Sequence, residues 1–204
     1  MKMDFNVFSE KFLTETKLII DNLNLKYIER IVELLLALRQ MKGRLFFLGV
    51  GGSAANASHA VNDFRKIVGI EAYSPTDNMA ELTARTNDEG WKTVFSSWLA
   101  ASHLSEKDML FVLSVGGGDF KKNISPNLIT ALDYGKKQGS KIVGILGRDG
   151  GYTAKLADAY VLIPTVNVEH ITPHAEAFQA VIWHLMVTHP KLKLVTTKWE
   201  SVVV

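Results

Sequence analysis

Residues 45–57 read Leu45-Phe46-Phe47-Leu48-Gly49-Val50-Gly51-Gly52-Ser53-Ala54-Ala55-Asn56-Ala57. A short, continuous apolar run of the kind found in buried parallel strands passes into three glycines in four positions, and an alanine-rich run compatible with a helix follows. The pattern predicts a strand, a tight turn and a helix N-terminus, where free backbone N–H groups and the helix dipole favour an anion. Ser53 is predicted to be the N-cap or to bind the ligand through its hydroxyl.

The same turn has an alternative interpretation, because glycine-rich turns between a strand and a helix also occur without a ligand. It matches neither of the common nucleotide motifs, since it lacks Gly-x-Gly-x-x-Gly and no lysine follows its glycines. The turn alone therefore does not identify what it binds.

With 204 residues, 47% of them hydrophobic, the chain is predicted to form one globular domain with a full core. The net charge is +2 and the basic residues are dispersed, so no binding of nucleic acid or membranes is implied. Cysteine is absent, which excludes disulfides, thiolate catalysis and cysteine-bound zinc, and leaves His, Asp and Glu as metal ligands. Met1–Asn6 lack the apolar run of a signal peptide, and no segment approaches the ~20 apolar residues of a membrane span, so we expect a cytoplasmic protein.

Two helices are predicted in the first forty or so residues. The first has phenylalanines at helical spacing, at Phe5, Phe8 and Phe12. The second has a stronger apolar stripe, ending at Gly43 as a helix stop: Ile28, Ile31, Val32, Leu35 and Leu38. Two helices ahead of any strand carry more apolar surface than one sheet face covers, which indicates packing between subunits.

From Arg44 onward, strands and helices alternate. The predicted strands are Leu45–Gly49, a weak one near Ile70–Tyr73, Met109–Ser114, Lys141–Gly147 and Ala159–Ile163. The predicted helices are Ser53–Lys66, Asn78–Arg85, Lys92–His103, Ser125–Lys137, Tyr152–Leu156 and His174–Thr188. Apolar strands that alternate with helices predict an α/β protein with a parallel sheet of about five strands, covered on both faces.

Three of these strands end in turns rich in Gly and Ser. Besides the first turn, the sequence has Ser114-Val115-Gly116-Gly117-Gly118-Asp119 and Gly147-Arg148-Asp149-Gly150-Gly151. Lys121 and Lys122 follow the second turn, and Ser125-Pro126 has the pattern of an N-cap followed by proline at the first helical position. Because ligands bind at the carboxyl ends of parallel strands, these turns favour a phosphorylated small molecule.

A second group of residues could carry chemistry. His59 and Asp63 are four residues apart on the predicted helix and therefore share a face, where they could bind a metal or act as an acid–base pair; a casual pairing on a solvated face is the alternative. His184 lies in an otherwise apolar helix, where a satisfied core or interface histidine is the alternative. Glu176 lies eight residues before it, a rise of ~12 Å, so one ion joins them only if the helix begins irregularly.

Taken together, these motifs resemble those of the sugar isomerase (SIS) family, and within it the phosphoheptose isomerases, along nearly the whole of residues 1–204. The resemblance implies a single SIS domain, with an N-terminal helical pair over residues 1–43 and an α/β sandwich over residues 44–204. It also implies a flavodoxin-like three-layer sandwich, and a homotetramer with active sites between subunits. The implied reaction is the aldose–ketose isomerisation of sedoheptulose 7-phosphate for surface-glycan heptose synthesis.

The resemblance also assigns roles by position. It makes Asp63 and His184 the catalytic base and acid, and it makes His59, Asp63, Glu176 and His184 the ligands of a zinc ion. The implied contacts to phosphate and sugar are Gly51, Gly52, Ser53, Asn87, Asp88, Ser114, Gly116, Gly117, Gly118, Ser125 and Glu176.

The chain departs from the family pattern at four places. Val50 replaces an Asn, the Ser114–Gly118 loop lacks two hydroxyls and is followed by an apparent insertion at Asp119–Ile124, Asp63 replaces a Glu, and Glu176 replaces the usual Gln. The altered Val50 and Ser114–Gly118 loop keep open an alternative function, a non-catalytic SIS protein that binds a sugar phosphate or a protein partner and regulates. The retention of His59, Asp63, Glu176 and His184 opposes this alternative.

Overall fold

The computed structural model describes residues 5–202, without the side chains of residues 5, 6 and 199. Residues 1–4, part of the segment from which the sequence predicts that there is no signal peptide, and the side chain of Phe5 lie outside the described residues. Within residues 5–202, no helix is long and apolar enough to cross a membrane.

The strands form one parallel sheet in the order β2-β1-β3-β4-β5. They are β1 (Leu45–Leu48), β2 (Ala72–Tyr73), β3 (Met109–Ser114), β4 (Lys141–Leu146) and β5 (Ala159–Leu162). The predicted parallel sheet of about five strands is confirmed, and its order is that of flavodoxin-like folds. In such a sheet the order in which strands are added reverses between β1 and β3, and a crevice for ligands opens at the carboxyl ends of these two strands.

The helices cover both faces of the sheet. They are α1 (Phe5–Asn22), α2 (Leu25–Gln40), α3 (Gly52–Asp63), α4 (Met79–Asp88), α5 (Val94–Ala101), α6 (Pro126–Lys137), α7 (Gly151–Leu156), α8 (Ile171–Thr188) and α9 (Lys198–Ser201), with a π-helical turn at Phe64–Val68 and a 3-10 turn at Val168–His170. Successive residues of β1 point to opposite faces. Leu45 and Phe47 pack with α2, α3 and α8, whereas Phe46 and Leu48 pack with α5 and α6, which gives the predicted three-layer sandwich.

The end of α2 differs from the prediction. The helix ends at Gln40, and the left-handed residue that follows it is Lys42, with φ 55°. The N–H of Gly43 then donates to the carbonyl of Leu38 across 3.0 Å, which closes a Schellman turn. Gly43 is needed for another reason, because a Cβ there would overlap the carbonyl of Lys107.

The starts of β1 and β3 are joined by a buried ion pair between Arg44 and Asp108. The Asp108 carboxylate accepts from Nη2 of Arg44 at 2.8 Å, from the N–H of Arg44 at 3.0 Å and from the N–H of Ser105 at 2.9 Å. Burial by itself would raise the pKa of Asp108, but these hydrogen bonds outweigh it and hold the pKa below its usual value.

The substitution Asp108→Asn is expected to lower the free energy of unfolding by about 1–2 kcal/mol at neutral pH. Because the folded-state pKa lies below the unfolded value, the charge stabilises the fold fully above the unfolded pKa, and this stabilisation is lost as the pH falls through the folded-state pKa. Urea unfolding at neutral pH and below about pH 4 measures the difference between the two proteins, which should shrink in acid. The exposed Glu106→Gln is the control, and a difference that does not change with pH would contradict the assignment.

Candidate active site

The turn after β1 has a backbone that only glycine adopts easily. Gly51 has φ 63° and ψ −128°, and a Cβ at Gly49 would overlap the carbonyl of Ser53. Gly51, and not Ser53, is the N-cap of α3. The prediction of Ser53 as N-cap is therefore wrong, because α3 begins one residue earlier, at Gly52, and leaves Ser53 inside the first turn.

The hydroxyl of Ser53 is held by a buried hydrogen-bond chain from α8. Only 2% of Ser53 is exposed, and its oxygen accepts a hydrogen bond of 3.0 Å from the Nε2 of Gln179. Asn56 donates to the Gln179 side chain at 3.0 Å and to the carbonyl of Glu176 at 2.9 Å. Because Ser53 accepts here, its own proton is directed elsewhere and can be donated to a ligand oxygen.

Glu176 does not lie where the predicted metal site needs it. Its carboxylate rests against Gly52, in the first turn of α3, where the helix dipole favours a negative charge. Helix α8 begins at Ile171, so Glu176 lies inside a regular helix, eight residues from His184. The geometric condition for one ion to join Glu176 and His184, an irregular first turn at Glu176, is not met.

The loop after β3 is fixed by its own serine and by α7. The hydroxyl of Ser114 accepts from the N–H of Gly117 at 3.0 Å, and the carbonyl of Gly117 accepts from the N–H and the hydroxyl of Thr153 at 2.9 and 2.8 Å. The N–H of Tyr152 binds the carbonyl of Gly118 at 2.8 Å. The first turn of α7 therefore holds the loop, so the turn at Gly147–Gly151 supports the second turn and does not add a third anion site.

The apparent insertion forms a small exposed projection between this loop and α6. Its ends pair through two backbone hydrogen bonds of 3.0 Å between Asp119 and Ile124. Ser125 does precede α6, but it has φ 50° and its hydroxyl makes no capping bond, so the predicted side-chain N-cap is wrong. The Nδ2 of Asn127 is buried at the start of α6 and has no acceptor among the described residues. Buried donors without an acceptor are unusual in proteins. This one is available to a bound water molecule or ligand.

Three of the four predicted metal ligands come together at the end of α3. The Nε2 atoms of His59 and His184 each lie 3.9 Å from Oδ2 of Asp63, and the three ligand atoms lie within 4.8 Å of one another. Asp63 is 14% exposed, whereas His59 and His184 are 58% and 48% exposed, so the group is open to an incoming molecule. Glu176 is not part of this group.

The two histidines are oriented by neighbours on α8. Nδ1 of His184 donates to the carbonyl of Ala180 at 2.7 Å, which leaves Nε2 facing Asp63 with a free lone pair. The buried ring of Trp183 stacks on His184, with ring centroids 3.5 Å apart, and meets His59 edge-on at 4.7 Å. The π-helical turn begins directly after Asp63, and such turns are frequent at functional sites.

Asn87 and Asp88, the predicted sugar contacts, do not belong to the group formed by His59, Asp63 and His184. They are exposed at the end of α4, where Asn87 donates to Asp88 at 2.7 Å. Conversely, Gln179 and Asn56 were not predicted, although a buried glutamine on the apolar side of a helix is a recognisable signal.

Comparison with known proteins identifies the family. A family model described as SIS domain matches residues 11–147. The chain is 30% identical over 183 residues to a phosphoheptose isomerase from Aneurinibacillus thermoaerophilus, covering 87% of both proteins. It is 32% identical over 154 residues to the lincomycin biosynthesis protein LmbN of Streptomyces lincolnensis, but this spans 72% of the chain and only 56% of LmbN.

The solved structure of phosphoheptose isomerase GmhA from Neisseria gonorrhoeae superposes with a TM-score of 0.73 at 24% identity, covering 89% of this chain and 93% of that one. This agreement establishes the fold, and the family model extends over more than half of the chain. The chain therefore belongs to the SIS domain family.

Proposed function

We propose that this chain is a phosphosugar isomerase that converts sedoheptulose 7-phosphate into an aldose heptose 7-phosphate for heptose synthesis. The observation that carries the proposal is the group of His59, Asp63 and His184, which combines a partly buried carboxylate with two accessible imidazoles. The chain belongs to the SIS domain family and is similar to phosphoheptose isomerases, and both findings support this class of reaction.

The reaction needs a base that takes a proton from C1 of the ketose and an acid that protonates the oxygen on C2, so that an enediol forms. C2 is then protonated while the hydroxyl on C1 gives up its proton, which leaves the aldehyde of the aldose. In the proposal, Asp63 is the base. His184 is the acid when its ring carries a second proton, because the N–H at Nε2 then faces the same space as the Asp63 carboxylate. Zinc bound at this nitrogen would take the place of that proton and stabilise the charge on the oxygen. Trp183 contacts the imidazole rings of His59 and His184. In the proposal this contact keeps His184 oriented towards Asp63.

Phosphate binding is proposed at the crevice between β1 and β3. In this proposal Ser53 donates its hydroxyl proton to the phosphate, because its oxygen already accepts from Gln179. The Ser114–Gly118 loop follows β3, which pairs with β1, and we assign this loop and Ser125 to the phosphate as well. We assign contacts with the sugar hydroxyls to Gly51, Gly52 and Glu176, and to Asn87 and Asp88, which would act from a neighbouring copy.

Zinc fits the donor set at His59, Asp63 and His184. Zinc ligands at about 2 Å from the ion place neighbouring donor atoms roughly 3–4 Å apart, and the two nitrogen–oxygen distances here are 3.9 Å. When bound, the ion would stabilise negative charge on the substrate oxygen.

One chain alone does not bring the phosphate crevice and the acid–base group within reach of one substrate. Ser53 and Asp63 are ten residues apart on α3, a rise of about 15 Å, whereas an extended heptose phosphate measures on the order of 10 Å. This separation supports an active site shared between subunits. The apolar residues exposed on the N-terminal helices supply surface for such contacts: Leu13, Leu18 and Ile20 on α1, and Leu25 and Tyr27 on α2.

We predict a homotetramer. Light scattering at micromolar concentration should give four times the mass of the 22.6 kDa chain. The physical reason is that exposed apolar faces of this kind associate in water. A stable monomer would contradict both the oligomer and the shared site.

The substitution Glu176→Gln should lower the KM for sedoheptulose 7-phosphate by about threefold to tenfold. The Glu176 carboxylate lies at the N-terminus of α3 and repels a dianionic phosphate, whereas glutamine keeps the shape and removes the charge. Steady-state kinetics measure the change, with the exposed Glu169→Gln on the 3-10 turn as the control. An unchanged or raised KM would show that the carboxylate does not oppose phosphate binding.

The proposed function is tested by incubating the metal-depleted protein with sedoheptulose 7-phosphate, with and without added zinc. Formation of heptose 7-phosphate, faster with zinc, is the expected result. Tight binding without conversion would instead favour the regulatory SIS protein, for which the altered Ser114–Gly118 loop and the charge at Glu176 are the supporting observations.

We further propose that residues 1–204 form one SIS domain. The family model matches residues 11–147, and α8, which follows that range, packs on α3, which lies inside it. The cytoplasmic location and the absence of nucleic-acid or membrane partners stay predictions.

A further inference from the structure

A second group of potential metal ligands, which shares no residue with His59, Asp63 and His184, lies where α1 meets the start of α8. Glu15 of α1 faces His170 of the 3-10 turn and His174 of α8. Its Oε2 lies 2.7 Å from Nδ1 of His170 and 2.9 Å from Nε2 of His174. The three ligand atoms lie within 4.8 Å of one another. None of these residues takes part in the proposed isomerisation.

The carboxylate of Glu15 lies in the interior of the fold, where two histidines face it. The side chain of Glu15 is 7% exposed, and that of His174 is 4% exposed. Within residues 5–202, the ion-pair partners of Glu15 are these two histidines alone, and Asn167 adds a hydrogen bond of 2.7 Å to the other carboxylate oxygen. A divalent cation at this position would place a full positive charge directly beside the buried carboxylate.

The surroundings fix the ligands and leave room for one more. The ring of Phe12 stacks on His174, with centroids 4.4 Å apart, and thereby fixes its orientation. A cavity about the size of one water molecule adjoins the group and is lined by Asn167, His170 and His174 among others. Two histidines, one carboxylate and a water molecule form a ligand set that zinc and similar divalent ions adopt. Binding an ion would replace the two hydrogen bonds to Oε2 and would widen these distances from 2.7 and 2.9 Å to the roughly 3–4 Å between donors around zinc.

We propose that Glu15, His170 and His174 bind a divalent cation of the zinc class, with a water molecule as the fourth ligand, and that this ion joins α1 to the start of α8. The site is structural. It joins residues that are 155 and 159 positions apart in the sequence, so its occupancy stabilises the docking of the N-terminal helix.

The test uses the full-length double variant His59→Ala/His184→Ala, which removes the first group of ligands and isolates the second site. After metal depletion and dialysis against zinc, elemental analysis should find one zinc ion per chain. Zinc should also raise the melting temperature, by about 5–10 °C at a concentration 100 times the dissociation constant.

In the same background, Glu15→Gln should weaken zinc binding about 100-fold or more and abolish the thermal shift, because it keeps the shape and the hydrogen-bond acceptor but removes the charge. The exposed Glu10→Gln on the same helix is the matched control and should retain the ion. If Glu15→Gln does not fold, His170→Ala, which alters the most exposed ligand, should show the same loss. The proposal would be overturned if the double variant contained no zinc. It would also be overturned if Glu15→Gln and His170→Ala retained zinc, and neither outcome depends on the isomerase assay.

Discussion

The substitution His184→Ala lowers the rate of isomerisation by roughly 10²–10⁴-fold and leaves the oligomer intact, which is the largest effect that we expect on activity. His184 lies on the exposed side of α8, and its Nε2 is 3.9 Å from Oδ2 of Asp63. Removing the ring removes the acid and one ligand of the proposed zinc ion. The backbone of α8 does not depend on this side chain, because its buried face is formed by Phe178, Ile182 and Met186.

The measurement is kcat and KM for sedoheptulose 7-phosphate, with light scattering on the same samples. The matched control is Thr188→Ala, one turn further along the exposed side of α8, where a side chain outside the proposed chemistry is truncated. Activity of His184→Ala within a few fold of the unmodified protein would exclude His184 from the reaction. Loss of the oligomer would instead assign it to the subunit interface.

The substitution Gly117→Ala is expected to have the largest effect on phosphosugar binding. Gly117 has φ 66°, and a Cβ there would overlap the carbonyl of Gly150. Its carbonyl is also held by two hydrogen bonds from Thr153, so the loop cannot move without breaking them. We expect the free energy of unfolding to fall by about 2–4 kcal/mol and the affinity for the phosphosugar to fall more than tenfold.

The neighbouring Gly116→Ala is a matched control. Gly116 has no left-handed backbone, and the nearest atom to a Cβ there is Cδ of Arg148 at 3.8 Å. Isothermal titration with sedoheptulose 7-phosphate and urea unfolding of both variants separate the two positions. Equal behaviour of Gly116→Ala and Gly117→Ala would show that the loop is not fixed as described.

The strands were predictable because burial on both faces leaves a strong pattern. Met109–Ser114 is buried at every position and was predicted with its observed bounds. The edge strand β2 has two residues, and its predicted extent near Ile70–Tyr73 was longer, since only Ala72 and Tyr73 pair with β1. The short helix α9 was missed because Lys198–Ser201 carries no apolar periodicity.

The candidate site was predictable where local spacing alone brings residues together. His59 and Asp63 share a face of α3 by helical geometry, whereas the approach of His184 depends on how α8 packs, and it was expected only from the family resemblance. The position of Glu176 at Gly52 was not predictable, because it depends on the register between α3 and α8. The hydrogen bonds from the N–H groups of α7 to the carbonyls of Gly117 and Gly118 were not predictable either, because they join distant segments of the chain.

In the proposed reaction, this chain moves a proton between C1 and C2 of a ketose phosphate through an enediol. Nuclear magnetic resonance of sedoheptulose 7-phosphate, incubated with the zinc-loaded protein in deuterium oxide, tests this step. We expect a heptose 7-phosphate that carries deuterium at C2, since the base exchanges its proton with solvent before returning it. A product without deuterium at C2 would contradict the enediol step, and the absence of any heptose 7-phosphate would contradict the isomerase assignment itself.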